Sequence, residues 1–427
     1  MPRCNLTTAP LTGSRFAVVV SRFSPLHAGL EQRIYDLASR YDGVVLVLAS
    51  RPDPNDGIGL DSLTGMSARN RFRYLREAFN DDPAISPKKL ICDASTSSID
   101  APDWIKQLQD VVLSALAQPS HAREITVVTD IVPLNRTLRN AWPTVTSESV
   151  EQSVEQPVKQ AATEQTTADQ ASTKQLVDQP KETSPERTRW NVGTFIDGSD
   201  ELQRTICAHP HDRAYWSTIN HTFRREFTTV VLVVGSASVG KTTMVTRLSK
   251  LFDAPIAVEY AREFEENRNV DDDELTAFDY QRLILSKFAQ NEQALASDAN
   301  HGIVFLDTDA MVTKTYVERY LPVEEAVRLD STFDMVIQQE RPDLVLVIPP
   351  VTEYVDDGFR AMQWASDRYK FHETLMRVIR ESPYADRVVM LDDRTFAERD
   401  AHAIRVIGER TGFTPRQDSP LVAENAH

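Results

Sequence analysis

The clearest chemical signature in the chain is a short glycine-containing loop in its second half. The loop matches the phosphate-binding pattern G-x-x-x-x-G-K-[ST] at each fixed position, between a buried-strand pattern and a helical pattern. Its residues, with the threonine that follows, are Gly235, Ser236, Ala237, Ser238, Val239, Gly240, Lys241, Thr242 and Thr243. Backbone N–H groups of such a loop surround triphosphate oxygens, Lys241 neutralises phosphate charge, and the Thr242 hydroxyl ligates magnesium. The sequence therefore predicts a site for ATP and Mg²⁺.

A second chemical feature lies at the end of a later strand pattern, 302–307. Acidic side chains at the carboxyl end of a strand beside a phosphate loop can hold magnesium, directly or through water. Asp307 is therefore predicted to bind the metal together with Thr242 and to act in catalysis. Asp309 is assigned to substrate binding. An acidic surface turn is the alternative interpretation.

Charged residues follow two further strand patterns. Glu259 ends the segment 255–259, where ligands bind in open α/β sheets, and is the first candidate for the base that accepts a hydroxyl proton. Arg262 is assigned to substrate binding, where it could reach phosphate, with an ordinary charge cluster at a helix start as the alternative. Arg360 and Arg368 are candidate catalytic arginines of a lid over the transferring phosphate; solvated helix charges are the alternative.

The elements that must position these residues follow from hydrophobic patterning. In the first half, continuous β-branched runs predict buried parallel strands at 16–20, 44–48 and 125–129. Between them, Ser67 can cap a helix whose apolar face carries Phe72, Leu75 and Phe79. This strand–helix alternation predicts a doubly wound parallel sheet.

The second half shows the same alternation around the phosphate loop. Its strand patterns are 229–234, 255–259, 302–307, 343–348 and 387–391. The predicted fold class is therefore α/β, with two doubly wound parallel-sheet domains.

The segment 148–187 differs from both halves. It is rich in Gln, Glu, Thr, Ser and Ala and has no aromatic residue, so it cannot bury enough apolar surface to offset the entropy of ordering. We predict a disordered insertion there. The predicted domains are 1–147 with 188–226, and 227–415, followed by a flexible tail at 416–427.

The amino-acid composition limits the kinds of partner that we expect for this protein. The net charge of −16 opposes tight binding to nucleic acid, and no apolar run is long enough to span a bilayer. Three scattered cysteines and the absence of an apolar signal segment favour a cytoplasmic protein with reduced thiols. Assembly into a homo-oligomer is an open alternative.

Several motifs of the second half resemble one family. In chain order they are VVGSASVGKTTMVTRLSKLF, VEYAREF, FLDTDAMVTKTY, VDDGFRA and SDRYKFH, and they cover nearly all of 228–412. They resemble the kinase half of NadR-type proteins, which join a nicotinamide-nucleotide adenylyltransferase to a ribosylnicotinamide kinase. The resemblance implies a P-loop kinase fold and ATP-dependent phosphorylation of the 5′-hydroxyl of nicotinamide riboside. It also implies that Tyr280 helps to bind the nucleoside, although an aromatic there can equally be core.

The first half resembles the adenylyltransferase partner, a Rossmann-like nucleotidylyltransferase fold that carries G-x-F-x-P-x-H-x-G-H after its first strand. Phe23, Pro25, His27 and Gly29 match this motif, and the resemblance implies that Phe23, His27 and Gly29 contact ATP. However, Ser21 replaces the first glycine, and Leu30 replaces the second histidine. Leucine cannot donate a hydrogen bond to an oxyanion, and losing one such donor costs roughly 100- to 1000-fold in rate.

A second departure lies near the end of this half. The family's phosphate-grasping I-S-x-T-x-x-R segment has only a poor counterpart here, beginning at Ile196. Asp197, Asp200 and Glu201 place negative charge where phosphate should bind. We therefore expect a weakened or inactive adenylyltransferase.

Four hypotheses remain open. The leading one is a ribosylnicotinamide kinase with a degenerate adenylyltransferase half. The first alternative is a bifunctional enzyme that also makes NAD from nicotinamide mononucleotide and ATP. The others are an N-terminal domain that binds NAD as a sensor without chemistry, and a kinase of another nucleoside.

Overall fold

A computed structural model describes residues 9–50, 66–91, 102–117, 122–142, 188–209, 212–261, 264–265, 274–350 and 363–416. The chain divides into two compact units, Met1–Cys207 and Ala208–His427. No helix within these described stretches has the length and apolar character needed to span a membrane. Arg262, Arg360 and the segment 148–187 lie outside the described residues, as does the tail after 416.

The N-terminal unit is built on one five-stranded parallel sheet. Its strands are β1 (Arg15–Ser21), β2 (Gly43–Ser50), β3 (Ile85–Ile91), β4 (Arg123–Thr129) and β5 (Thr188–Val192). They lie in the order β3-β2-β1-β4-β5, and every pairing is parallel. The accompanying helices are α1 (Ala28–Ala38), α2 (Ala68–Ala78), α3 (Pro102–Leu113), α4 (Val132–Ala141) and α5 (Ser199–Ala208).

Three strands of this sheet were predicted, and two were not. The apolar runs form β1, β2 and β4, the three inner strands, and β1 is buried from Phe16 onward. The unpredicted strands are the two edges. In β3, Pro87, Lys88 and Lys89 interrupt the apolar pattern, and an edge strand tolerates this because one side makes no ladder bonds.

The C-terminal unit contains a second five-stranded parallel sheet. Its strands are β6 (Thr229–Gly235), β7 (Ile256–Ala257), β8 (Ile303–Asp307), β9 (Leu344–Ile348) and β10 (Val388–Met390). The order is β10-β9-β6-β8-β7, again with parallel pairing throughout. All five were predicted, although β7 is only two residues long. The fold class is thereby confirmed.

The helices described in the C-terminal unit alternate with these strands or precede them. They are α6 (Arg213–Trp216), α7 (His221–Arg224), α8 (Lys241–Phe252), α9 (Ala277–Leu295), α10 (Ala310–Tyr320), α11 (Val323–Ala326), α12 (Asp330–Glu340), α13 (Gln363–Glu381) and α14 (Phe396–Thr411), with 3₁₀ turns at Val327–Leu329 and Ala385–Arg387.

The central strand β6 is buried on both faces. Val230, Leu232 and Val234 enter one hydrophobic cluster, and Val231 and Val233 enter another. Alternation of side chains along a strand therefore builds two cores, one on each side of the sheet. This rigid strand delivers the phosphate loop to the carboxyl edge of the sheet.

The structural division at 207/208 differs from the predicted boundary at 226/227 over one segment. In the structure this segment is anchored to the C-terminal unit, where Glu226 forms a 2.8 Å ion pair with Arg341. The Arg224 backbone carbonyl accepts a hydrogen bond from Thr228, whose hydroxyl also accepts one from Asn300. The assignment of the two enzymatic domains stays a prediction.

Candidate functional site

The phosphate loop has the backbone that its glycines require. Gly235 ends β6, and a Cβ there would lie 2.6 Å from the Ile348 carbonyl oxygen. Gly240 has φ +92°, and a Cβ would lie 2.7 Å from Cε1 of Phe396. Side chains are thus excluded at both positions, by neighbours at either end of the loop and by backbone conformation at Gly240.

Helix α8 begins directly after the loop. Gly240 occupies its N-cap and supplies no side-chain hydrogen bond to the first turn. Such a terminus presents N–H groups and a partial positive charge to an anion. The Lys241 ammonium donates a 3.0 Å hydrogen bond to the Ser236 carbonyl and so lies within the loop. The arrangement is that of a phosphate-binding loop.

Asp307, at the end of β8, lies against the start of α8. Its Oδ2 accepts a 2.5 Å hydrogen bond from the Thr242 hydroxyl. Its Oδ1 is buried and, among the described residues, has no hydrogen-bond partner. Burial raises the pKa of Asp307, the charge of Lys241 opposes that shift, and the charge of Glu259 adds to it. The structure thus brings the two predicted metal ligands together.

A cleft of about 510 Å³, including its opening to solvent, lies beside this site. Glu259, the predicted base, lines it, and so does Tyr280, the predicted nucleoside contact. The remaining lining residues are Tyr260, Ala261, Glu265, Leu275, Leu283, Lys287, Thr308, Val312, Thr313 and Tyr316. The walls are thus mixed, with three tyrosines, two glutamates and one lysine beside aliphatic side chains. Tyr280 is 2% exposed and also belongs to the hydrophobic core of this unit.

Two predicted site residues lie elsewhere. The Asp309 side chain is 1% exposed, and its Oδ1 accepts a hydrogen bond from the Val312 backbone N–H, which caps α10. Burial raises the pKa of Asp309 to about 7. Arg368, on α13, is buried and does not line the cleft.

Several residues of this region carry weak or no signal in the sequence. Lys287 lies on the same face of α9 as Tyr280 and Leu283, since their spacings are three and four residues. That periodicity was the available signal. Phe396 and Arg399 give none, because they come from the last helix; Arg399 donates to the Val239 carbonyl of the phosphate loop at 3.0 Å.

In the N-terminal unit, His27 lies in a closed hydrogen-bond network. Its side chain is 3% exposed, and Nδ1 accepts a hydrogen bond from the Leu30 N–H at 3.3 Å. Nε2 therefore carries the proton and donates to the Ser199 hydroxyl at 2.9 Å. Burial lowers the pKa of His27 to about 4, only partly offset by the hydrogen bond with Ser199. The imidazole is thus neutral at physiological pH.

Asp130, after β4, is the centre of that network. Its Oδ2 accepts hydrogen bonds from Ser21 and Ser199 at 2.8 Å and from the Gln203 amide at 2.7 Å. Burial raises the pKa of Asp130 to about 6, although the bonds from Ser199 and Ser21 lower it. Ser21, which replaces the motif glycine, therefore donates a hydrogen bond to a buried carboxyl group.

The other motif residues lie around this network. Phe23 is buried with φ +48°, and Gly29 is exposed in the first turn of α1. Leu30 is fully buried on the inner face of α1. At the start of α5, Asp200 forms ion pairs with Arg204 at 3.0 Å and Arg22 at 3.8 Å.

The arginine-rich helix α2 has a mixed environment. Arg71 is buried and donates to the Arg22 carbonyl at 2.6 Å and the Ser50 hydroxyl at 2.9 Å. Arg69 and Arg73 are exposed. Only the exposed part of this helix can therefore offer charge to a ligand.

Known protein families and solved structures resemble this chain. The protein family described as "AAA domain" matches residues 230–399. A crystal structure of a NadR protein in complex with NR is 36% identical, has a TM-score of 0.75, and covers 96% of this chain and 100% of its own. A NadR structure in complex with NAD and AMP-PNP is 33% identical, with a TM-score of 0.73 and coverage of 96% and 99%.

Two curated relatives match over shorter segments. The trifunctional NAD biosynthesis/regulator protein NadR of Escherichia coli K12 is 26% identical over 199 residues, 46% of each chain. Its counterpart in Salmonella typhimurium LT2 is 28% identical over 169 residues, 39% of this chain and 40% of its own. The matched segments thus span less than half of either relative.

The fold and the site together define the class: a P-loop kinase-like unit joined to a second doubly wound α/β unit. The full-length similarity to NadR structures is specific to one group within that class. The chain belongs to the NadR family.

Proposed function

We propose that the C-terminal unit transfers the γ-phosphoryl group of ATP to the 5′-hydroxyl of nicotinamide riboside, giving nicotinamide mononucleotide for NAD salvage. The observation that carries this proposal is the cleft of Glu259 and Tyr280 beside the phosphate loop. A relative 36% identical over its full length is a NadR protein in complex with NR, which supports the same acceptor.

The composition of the cleft favours a cationic nucleoside. Glu259 and Glu265 supply two negative charges against one positive charge from Lys287. Tyr260, Tyr280 and Tyr316 supply aromatic faces. A pyridinium ring carries a positive charge, and both carboxylates and aromatic faces attract such a cation. A neutral nucleoside base would lack this charge attraction to the two acidic groups.

The proposed mechanism assigns one task to each part of the site. The loop N–H groups and Lys241 hold the triphosphate and offset charge on the transferring group. Glu259 accepts the proton of the attacking hydroxyl while orienting its oxygen toward the phosphorus. The aromatic walls hold the nucleoside and exclude water.

Magnesium fits the residues that would hold it. The Thr242 hydroxyl and the buried, unpartnered Oδ1 of Asp307 are hard oxygen donors. Across the described stretches no group of three or more His, Cys, Asp or Glu could form a metal cage. Such a sparse donor set suits Mg²⁺, which binds through one or two protein oxygens together with substrate phosphates. When bound, the ion neutralises charge on the phosphates.

We also propose that the N-terminal unit has weak or no adenylyltransferase activity. His27 is tied to Ser199, and Leu30 faces the core instead of a ligand. The N-terminus of α5 carries Asp200, which already forms ion pairs with Arg22 and Arg204. Losing a single donor to the leaving pyrophosphate costs roughly 100- to 1000-fold in rate.

The decisive experiment separates the two activities. Purified protein with magnesium and ATP is given nicotinamide riboside in one reaction and nicotinamide mononucleotide in another, and products are identified by mass spectrometry. We expect mononucleotide from the first and little or no NAD from the second, with Lys241→Ala inactive. Absence of mononucleotide would refute the proposed acceptor, and rapid NAD formation would refute the weakened second site.

A second experiment tests why this acceptor binds. Glu265→Gln removes one negative charge from the cleft without changing its size. We expect KM for nicotinamide riboside to rise several-fold, and KM for nicotinic acid riboside, whose ring carboxylate cancels the pyridinium charge, to change less. Equal changes in both KM values would show that the cleft does not select for positive charge.

The NAD-sensing alternative has its own readout. One NadR structure contains NAD and AMP-PNP, so NAD is a ligand worth testing here. Binding of NAD to Lys241→Ala protein without turnover of the mononucleotide would favour a sensing role for the N-terminal unit. Formation of NAD would instead favour the bifunctional enzyme.

A further inference from the structure

Lys287 is a buried cation that the proposed mechanism does not yet use. It lies on α9, is 4% exposed, and lines the acceptor cleft. Its ammonium donates hydrogen bonds to the backbone carbonyls of Ala257 at 3.0 Å and Val258 at 2.7 Å. These are the two residues that immediately precede Glu259.

The strand pairing that holds the backbone at this point is short. Strand β7 comprises only Ile256–Ala257, lies at the edge of the sheet, and pairs with β8 alone. The ladder ends at Ala257, whose pairing partner is Leu306. Backbone carbonyls that leave a sheet need other donors when they are buried. Ala257 is 5% exposed, so its carbonyl needs such a donor, and the same ammonium also binds the carbonyl of the half-exposed Val258.

Burial and nearby carboxyl groups act in opposite directions on the pKa of Lys287. Burial lowers its pKa to about 8, while Asp307, Glu340, Glu259 and Asp309 oppose that shift. These carboxyl groups come from β8, from α12, from the segment after β7, and from the cap of α10. The lysine is therefore mainly charged at neutral pH.

Helix-to-sheet packing alone would not require this arrangement. Removing an ammonium ion from water is costly, and an apolar side chain would fill the same contact between α9 and the sheet without that cost. The ammonium is instead directed at the backbone that carries the proposed base.

We propose that Lys287 is a positioning residue: it fixes the backbone at Ala257 and Val258 and thereby aims the Glu259 carboxylate at the hydroxyl to be phosphorylated. This inference rests on the proposed function of the cleft as the acceptor site. Its consequence is that Lys287 contributes to kcat through Glu259 and not through ATP binding.

A double-mutant cycle tests this coupling. Lys287→Met keeps the apolar stem but removes the donor, and Glu259→Gln removes the base. A misplaced reacting group costs on the order of 100-fold, so we expect Lys287→Met to lower kcat by about that factor, with KM for ATP changed less than about threefold. In the Glu259→Gln background, Lys287→Met should cost less than about threefold, because residues that act as a unit are non-additive.

Two reaction rates are measured for each protein of the double-mutant cycle. One is phosphorylation of nicotinamide riboside. The other is acceptor-free hydrolysis of ATP, in which the proposed base would orient water in place of the hydroxyl. If wild-type protein does not phosphorylate the riboside, the proposed function fails, while the hydrolysis cycle still decides the role of Lys287. Losses that multiply in the double variant would overturn the proposal, and so would a rise in KM for ATP without loss of kcat.

Controls separate positioning from folding. Lys250→Met removes an exposed lysine of α8 and should leave both rates unchanged. Lys287→Gln keeps an N–H donor for one of the two carbonyls. We expect it to recover about tenfold in kcat over Lys287→Met, since a partly restored bond reduces the displacement. If Lys287→Met does not fold, Lys287→Gln is carried through the same cycle, and equal losses in both backgrounds overturn the proposal.

Discussion

The buried network around Asp130 and His27 should give the N-terminal unit an unusual response to pH. The two groups are linked through Ser199, yet their pKa values are shifted in opposite directions. Asp130→Asn removes one titrating group and keeps an acceptor oxygen for its neighbours. His27→Gln removes the other and keeps an amide donor for Ser199.

The size of each effect follows from linkage. The pKa of Asp130 is raised from 3.8 to about 6, so the folded state binds its proton more tightly than the unfolded state. Stability from this group is greatest at low pH and is lost as pH rises from 3.8 through 6, which gives about 1.4 kcal/mol between pH 5 and pH 7.5. The pKa of His27 is lowered from 6.5 to about 4, so its contribution is present above 6.5 and falls by about 2 kcal/mol on acidification to pH 5.

The two pH-dependent contributions to the free energy of unfolding therefore nearly cancel in the wild-type protein. Each variant removes one of them, so that the other can be measured. On going from pH 7.5 to pH 5, Asp130→Asn should lose about 1.4 kcal/mol more stability than wild type, and His27→Gln about 2 kcal/mol less. Hydrogen exchange of β1 amides, corrected for intrinsic rates, measures opening of this unit alone. Asp81→Asn, an exposed carboxyl, is the matched control. Parallel pH profiles for all four proteins would refute the proposed electrostatics.

Three further predictions concern the C-terminal unit. Asp307→Asn should lower kcat at saturating magnesium by roughly 100-fold or more, because a metal-holding charge is lost; an unchanged kcat in a magnesium titration would exclude Asp307 as a ligand. Gly240→Ala places a Cβ at φ +92° and 2.7 Å from Phe396, and should weaken ATP binding about tenfold by calorimetry. Wild-type affinity in that variant would mean that the loop tolerates the side chain. Tyr384→Phe removes a buried hydroxyl that accepts from the Arg341 N–H at 3.0 Å and donates to a carbonyl at 2.7 Å, and should cost about 1–3 kcal/mol in chemical denaturation, with kcat retained. A loss below a few tenths of a kcal/mol would contradict this.

How much the sequence predicts depends on how local the signal is. The phosphate loop was predicted residue by residue, because its chemistry is confined to eight consecutive positions with fixed glycine requirements. Inner strands were predicted because burial on both faces demands continuous apolar runs. Edge strands escaped this rule, as β3 shows with Pro87 and two lysines.

Candidate site residues divide in the same way. Thr242 and Asp307 were expected to meet because the phosphate loop and the acid both lie at strand ends of one sheet, and the structure joins them at 2.5 Å. Asp309 has the same local signal, yet its side chain turns inward to cap α10. Sequence spacing of two residues places both acids near the edge but does not say which one faces the ligand.

The sequence by itself determined two α/β halves, a phosphate loop beside an acid that is predicted to hold magnesium, and an altered nucleotidylyltransferase motif. Only the tertiary structure decided that His27 would pair with Ser199, 172 residues away, and that Lys287 would bind the backbone before Glu259. The physical reason is that strand and loop patterns express the local environment of consecutive residues. Hydrogen bonds between distant residues depend instead on the order of strands in each sheet and on which helix face packs against it.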